Sequence, residues 1–223
     1  MLKGPTIQRK ETDYNYLSEL KMGFGYIKKG AIAHFLILFM ILSIFGSMAA
    51  VSMPMFAEVH AGAASGYILL TLMSMLGSII GSYIVSIAGS KFKLSTNIIL
   101  GLIFAGLFRL LFVYLVGFNL IVSLAVYPFY VGMAGAVSLA IYSFNQKWLP
   151  KEMLGKVNTL ITSVSYIVAV LASFFGGIVG NMVHSIEMVL IIHGVSYIAV
   201  ALCMCLFKCI RELPKISDVK PLD

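Results

Sequence analysis

Six long apolar runs divide this chain, and its basic residues respect the divisions. Lys3, Arg9, Lys10, Lys21, Lys28 and Lys29 precede the first run. Lys91 and Lys93 separate the second from the third, and Lys147, Lys151 and Lys156 separate the fourth from the fifth. Lys208, Arg211, Lys215 and Lys220 follow the sixth. The links after the first, third and fifth runs hold no Lys or Arg, so fifteen of the sixteen basic residues fall on alternate links. That is the positive-inside pattern of a six-span membrane protein with both ends in the cytoplasm. The net charge of +7 therefore reports orientation in a bilayer, and no nucleic-acid partner is implied by it.

The chain is 60% hydrophobic and 11% charged. Soluble domains carry about 25% charged residues, so lipid is the solvent in which this composition makes sense. Crossing the hydrocarbon core takes roughly 20 apolar residues as a helix. The runs predict an all-α membrane protein with spans at 31–53, 66–89, 96–117, 119–144, 158–183 and 185–207. The links leave no room for a soluble domain. The organisation expected is a cytoplasmic tail over 1–30, a six-helix transmembrane domain over 31–207 and a cytoplasmic tail over 208–223. The opening residues are polar and basic, unlike a cleaved signal peptide.

Within the first tail, Tyr14, Leu17, Leu20, Phe24 and Ile27 recur at helical spacing among lysines, as in a helix lying on the membrane surface. Pro54 is read as the end of the first span. Gly77 and Gly81 in the second span, and Ala172, Gly176 and Gly180 in the fifth, form small-residue seams that let another helix approach closely. Pro128 in the fourth span predicts a bend. The segment from Asn145 to Val157 reads as a surface-lying inner loop holding the single Trp, and the tail from Lys208 is expected to fray.

No enzyme constellation is visible, and no cofactor or metal is called for. No carboxylate lies well inside a span, which removes the ligands of an intramembrane aspartyl or metallo-protease. Gly25 and Gly30 have phosphate-loop spacing, but Ala31-Ile32 follows where Lys-Ser or Lys-Thr is needed. Cys203, Cys205 and Cys209 near the inner end of the last span lack partners for a soft-metal site, and a reducing compartment disfavours disulfides. His60 and His184 read as outer-loop residues. His34 and His193 read either as neutral polar residues near span ends or as proton carriers. Arg109 alone breaks the charge pattern, lying in the third span a little outward of its middle. Either it snorkels to the outer headgroups or caps helix packing, or it pairs with an anionic substrate or a gating carboxylate.

Several stretches together resemble the major facilitator superfamily, closest to its drug and macrolide-efflux and enterobactin-exporter branch. Ser18 to Lys29 resembles the linker between the halves of those transporters. Val51-Ser52-Met53-Pro54 resembles the proline end of the seventh helix, and Gly66-Tyr67 through Ser82 the eighth. Gln146, Pro150, Gly155, Lys156 and Val157 match the inner loop before the eleventh helix, with Lys156 where Arg is commoner. The segment Gly89 to Lys93 departs from the family's loop signature by lacking the acidic residue.

The resemblance implies the C-terminal six-helix half of a twelve-helix transporter, working by alternating access about a site near the membrane midplane. It implies a multi-pass protein of a bacterial plasma membrane, with antibiotic efflux as the branch's theme. A small-molecule substrate and either an N-terminal half-transporter or a second copy would be its partners, besides lipid. The family's cavity-lining helices place Phe45 and Met48 of the first span, Tyr127, Tyr130 and Met133 of the fourth and Phe174 of the fifth along the substrate path. Aromatic and Met side chains there would suit bulky amphipathic compounds. The competing readings are a membrane subunit of another transport system, and a scaffold or remnant that transports nothing.

Overall fold

The computed structural model describes residue 25 and residues 32–62, 64–183 and 185–219. The expected surface helix of the first tail lies outside the described residues apart from Gly25, as does His184. Among the described residues, six helices are long and apolar enough to span a membrane. They are α1 (Ile32–Ala61), α2 (Ala64–Lys91), α3 (Leu94–Val116), α4 (Leu120–Trp148), α5 (Lys151–Val183) and α6 (Ile186–Leu206). A short helix α7 (Lys208–Arg211) and a 3-10 turn (Ile216–Asp218) follow. Helices satisfy their own backbone hydrogen bonds, which hydrocarbon cannot do for them.

Three expectations are corrected. First, α1 does not end at Pro54 but runs on to Ala61. A proline costs a membrane helix one hydrogen bond, and packing beyond it holds the helix together. Phe56 and Ala57 are fully buried, and Phe56 packs on Phe112 with ring centroids 5.2 Å apart. The chain then turns at Gly62, whose φ of 74° suits glycine. Second, the segment from Asn145 is not a loop. Helix α4 continues to Trp148, and α5 starts at Lys151. Pro150 lacks the N–H to continue α4, while its carbonyl accepts from Met153 and Leu154 to open α5. Leu149 and Val157 are buried beside Ile32, and Trp148 stacks on Phe144. Third, the tail does not fray through residue 219. Ile210 and Leu213 are buried in the core, the Leu94 amide donates to the Pro214 carbonyl, and Lys147 Nζ donates to the Ile216 carbonyl.

The helices interlace rather than packing in chain order. Helix α4 packs on α2 and α3, α1 packs on α5 and α6, and α3 packs on α6. Exchanging α1 with α4, α2 with α5 and α3 with α6 turns the first set of contacts into the second. Helices α1 and α4 cross in opposite directions, so the bundle consists of two inverted three-helix repeats. Helix α4 stays continuous through Pro128.

The small-residue seams supply the close contacts. A Cβ on Gly77 would lie 2.6 Å from the Pro128 carbonyl oxygen, and one on Gly81 would lie 2.5 Å from that of Gly132, so α2 rides directly on α4. In the equivalent position, Gly176 of α5 meets the Met48 backbone of α1, with Ala172 buried one turn earlier. Between apolar helices in apolar solvent this van der Waals fit is the main attraction. A third seam, Gly106 of α3 against Gly194 of α6, was not anticipated; a Cβ on Gly106 would stand 2.6 Å from the Gly194 carbonyl oxygen.

Two cores result. The inner one, toward the lysine-bearing links, gathers Phe35, Ile98, Leu102, Ile141 and Phe144. The outer one gathers Met53, Phe56, Phe112, Leu124 and Leu190. Tyr130 packs against both.

Candidate functional site

Arg109 does not reach toward headgroups. It is 1% exposed and lies within the bundle. The Gly106–Gly194 approach explains the position, because it draws α3 onto α6 and leaves Arg109 one turn above the crossing, beside His193. The guanidinium carbon stands 4.8 Å from the Tyr130 ring centroid, 5.5 Å from that of Phe112 and 5.8 Å from that of Tyr127. All three fall within cation–π range. Nη2 donates to the Met53 sulfur at 3.5 Å, a weak acceptor. Nε and Nη1 have no acceptor among the described residues.

His193 continues the cluster. It is 3% exposed, and neither ring nitrogen has a partner among the described residues. Its ring lies 5.9 Å from Tyr130 and 5.1 Å from Tyr197. Far from sitting at a span end, it faces Gly46 of α1, where a Cβ would come 3.7 Å from Nε2. The backbone below is well satisfied: Ser123 Oγ donates to the Phe112 carbonyl at 2.8 Å, and Asn119 caps α4 by accepting from the amides of Ile121 and Val122.

Arg109, Tyr127, Tyr130 and His193 line a pocket of about 240 Å³, whose α2 wall carries Tyr67, Thr71 and Ser74. Tyr130 also borders a second pocket of about 340 Å³ toward the inner side, between Leu42 of α1, Ser78 of α2 and Gly135 of α4. A third, of about 550 Å³, lies between α1, α4 and α5, lined by Ser47, Ser138, Asn145, Asn158, Thr162 and Ser165. Gly46 is common to the first and third, and Ser43 and Ser138 to the second and third. All three border the side of the bundle built from α1, α2, α4 and α5. On α2 the hydroxyls of Thr71, Ser74, Ser78 and Ser82 form a stripe, each donating to a carbonyl four residues earlier.

The structure thus brings Tyr127 and Tyr130 to Arg109. It does not bring the other path candidates there. Phe45 borders an apolar groove between α1 and α6, and Met48 packs on Gly176. Met133 lies in a small pocket between α2, α3 and α4, and Phe174 is 71% exposed on α5. Gly180 lies in α5, which ends at Val183. Of the loop-motif residues, Gln146 and Gly155 are exposed and Pro150 and Lys156 half-buried at the inner end. His60 is not a loop residue: in the last turn of α1 it pairs with Glu187 at 2.6 Å, and Ser185 Oγ also donates to Glu187. His34 lies 3.5 Å from the Cys209 sulfur. Met53, Phe112, Tyr197 and the α2 hydroxyl stripe were not singled out from sequence. The stripe had a visible signal, residues 67, 71, 74, 78 and 82 at helical spacing.

No curated protein and no solved structure matches the chain. The family model of the Major Facilitator Superfamily matches residues 34–222, which covers all six spans. The chain is an integral membrane protein of transmembrane transport and belongs to the major facilitator superfamily.

Proposed function

We propose that this chain is the C-terminal six-helix half of a secondary-active exporter of drugs or small hydrophobic compounds, resident in a bacterial plasma membrane. The observation that carries this reading is the polar seam on the α1–α2–α4–α5 side. Hydroxyls at membrane depth, with the Asn145 and Asn158 amides at the inner end, suit a water-filled path, whereas a lipid-facing surface has no use for them. The pocket between α1, α4 and α5, at about 550 Å³, has the size of small-molecule sites. A second six-helix unit, either an N-terminal half or another copy, would close the opposite wall. Rocking of the two units would then expose the path to each side in turn.

The coupling group belongs to the other unit in this reading, because no acid lies deep in a span here. The test is accumulation of the neutral dye Nile red in pump-deficient cells carrying the chain with its neighbouring reading frames. Lowered accumulation, restored by a proton uncoupler, is expected. Unchanged accumulation with the proteins shown to be in the membrane overturns export. The chain alone is expected to transport weakly or not at all, and robust proton-driven export by the purified chain in liposomes would overturn the need for a second unit.

A further inference from the structure

The buried cation has donors left over. Two of its three guanidinium nitrogens have no acceptor among the described residues, and the third has only a thioether sulfur. A charge at the bilayer centre is costly to insert. Ring faces recover part of that cost. Neither they nor the sulfur occupy the Nε and Nη1 donors.

Among the described residues, the surroundings do not supply an acid. The hydroxyls of Thr71 and Ser74 donate to their own helix's carbonyls and accept nothing from the guanidinium. Glu187 is engaged by His60 and Ser185, and Glu58 is exposed in the last turns of α1. What fits is a planar oxyanion, which accepts two guanidinium N–H bonds side by side, one from Nε or Nη1 and one from the second hydrogen of Nη2, which the sulfur leaves free.

The pocket's shape selects further. At about 240 Å³ it falls below the usual 300–1,000 Å³ of a whole drug-sized ligand, so it holds a head group. Access is from the side of exposed Ala50 and Thr71. Tyr130 is the shared wall with the second pocket, whose lining is largely apolar: Leu38, Leu42, Val131 and Ala134 among others. A charged head and a greasy body would therefore sit on either side of one aromatic ring.

We propose that the Arg109 pocket holds the anionic head of an amphipathic organic acid, with its apolar body lying across Tyr130 into the neighbouring pocket. This names the substrate class of the export reading and rests on that reading for transport, but the binding site itself stands on the geometry alone.

The test uses the full chain in nanodiscs of zwitterionic lipid. The probe is 11-(dansylamino)undecanoic acid, a fluorescent long-chain carboxylate, with its methyl ester as the uncharged control. Losing a charged hydrogen-bond pair weakens affinity by about tenfold or more. We expect that loss for the ester on the wild-type chain and for the acid on Arg109→Gln, with Arg109→Lys in between. Ala50→Phe, which blocks the mouth and leaves the cation untouched, should lose the acid too, and it carries the test if Arg109→Gln does not fold. Acid binding within about twofold of wild type in Arg109→Gln, or in Ala50→Phe where that variant stands in, overturns the proposal. So does complete displacement of the acid by phosphatidylglycerol in the disc, which would make the occupant a lipid headgroup. Tight, Arg109-dependent acid binding with no effect on cellular accumulation of either Nile red or the dansyl acid would sink export and keep the site; active export with acid binding unchanged by Arg109→Gln would do the reverse.

Discussion

Gly81→Ala should loosen the bundle in proportion to a contact that can be measured directly. Ordinary van der Waals contact begins at 3.4 Å, and the new methyl would stand 2.5 Å from the Gly132 carbonyl oxygen, 0.9 Å too close. That oxygen is backbone within α4, so it cannot swing away as a side-chain tip could. Helix α2 must lift off α4 along the seam that includes Gly77 and Pro128. Overpacking of this kind costs about 1–3 kcal/mol, or about 5- to 150-fold in the folding equilibrium. Alanine also gains about 1 kcal/mol over glycine in helix propensity, which would mask part of the loss. Gly135→Ala on α4 corrects for that, because a Cβ there meets nothing within 4 Å. Unfolding in mixed dodecylmaltoside–SDS micelles can be followed by the fluorescence of Trp148, the only Trp. Gly81→Ala should unfold at clearly lower SDS fraction than Gly135→Ala. If the two agree within about 0.5 kcal/mol, the seam is not a close-packed joint and the argument fails.

Other expectations use the same assay. Leu213→Ala removes a buried anchor of the docked tail and should cost about 2–5 kcal/mol, with the tail becoming open to limited proteolysis; an unchanged digest would refute the docking. Ser123→Ala removes the hydroxyl's bond from α4 to the Phe112 carbonyl of α3 and should cost about 1 kcal/mol, visible as a modest shift of midpoint with unchanged slope. Glu187→Ala breaks the outer pair of α1 and α6, whose side chains are 25% and 37% exposed, so the loss should stay under about 1 kcal/mol and shrink as salt rises.

The spans were legible because lipid demands long uninterrupted apolar helices, and the basic links supplied their order. Their ends were less legible. Pro54 reads as a terminus until Phe56 and Ala57 are known to be buried, and residues 145–157 read as a loop until Leu149 and Val157 are seen packing on Ile32. Which face of each helix points inward was hardly legible at all. In lipid both faces of a span are apolar, so periodicity does not separate Met133, which is half-buried, from Phe174, which is exposed. Arg109 stood out by charge, and Tyr127 and Tyr130 through the family resemblance, whereas Met53 and Phe112 gave no sign of lying beside it. His193 meets it through a glycine crossing that no residue pattern on either helix announces.

The interlacing of the two repeats has a consequence for how such a chain is made. Helices α2 and α3 barely touch one another, and each finds its main partner in α4 or α6. Helix α1 likewise waits for α5 and α6. A ribosome that has delivered only the first three spans has therefore inserted a modestly joined α1–α2 pair and a nearly separate α3, with the Gly77–Gly81 groove still open to lipid. The inner core closes only when the last span and the tail behind it arrive, so premature termination before residue 213 would leave an assembled-looking but unclasped bundle for membrane quality control to find.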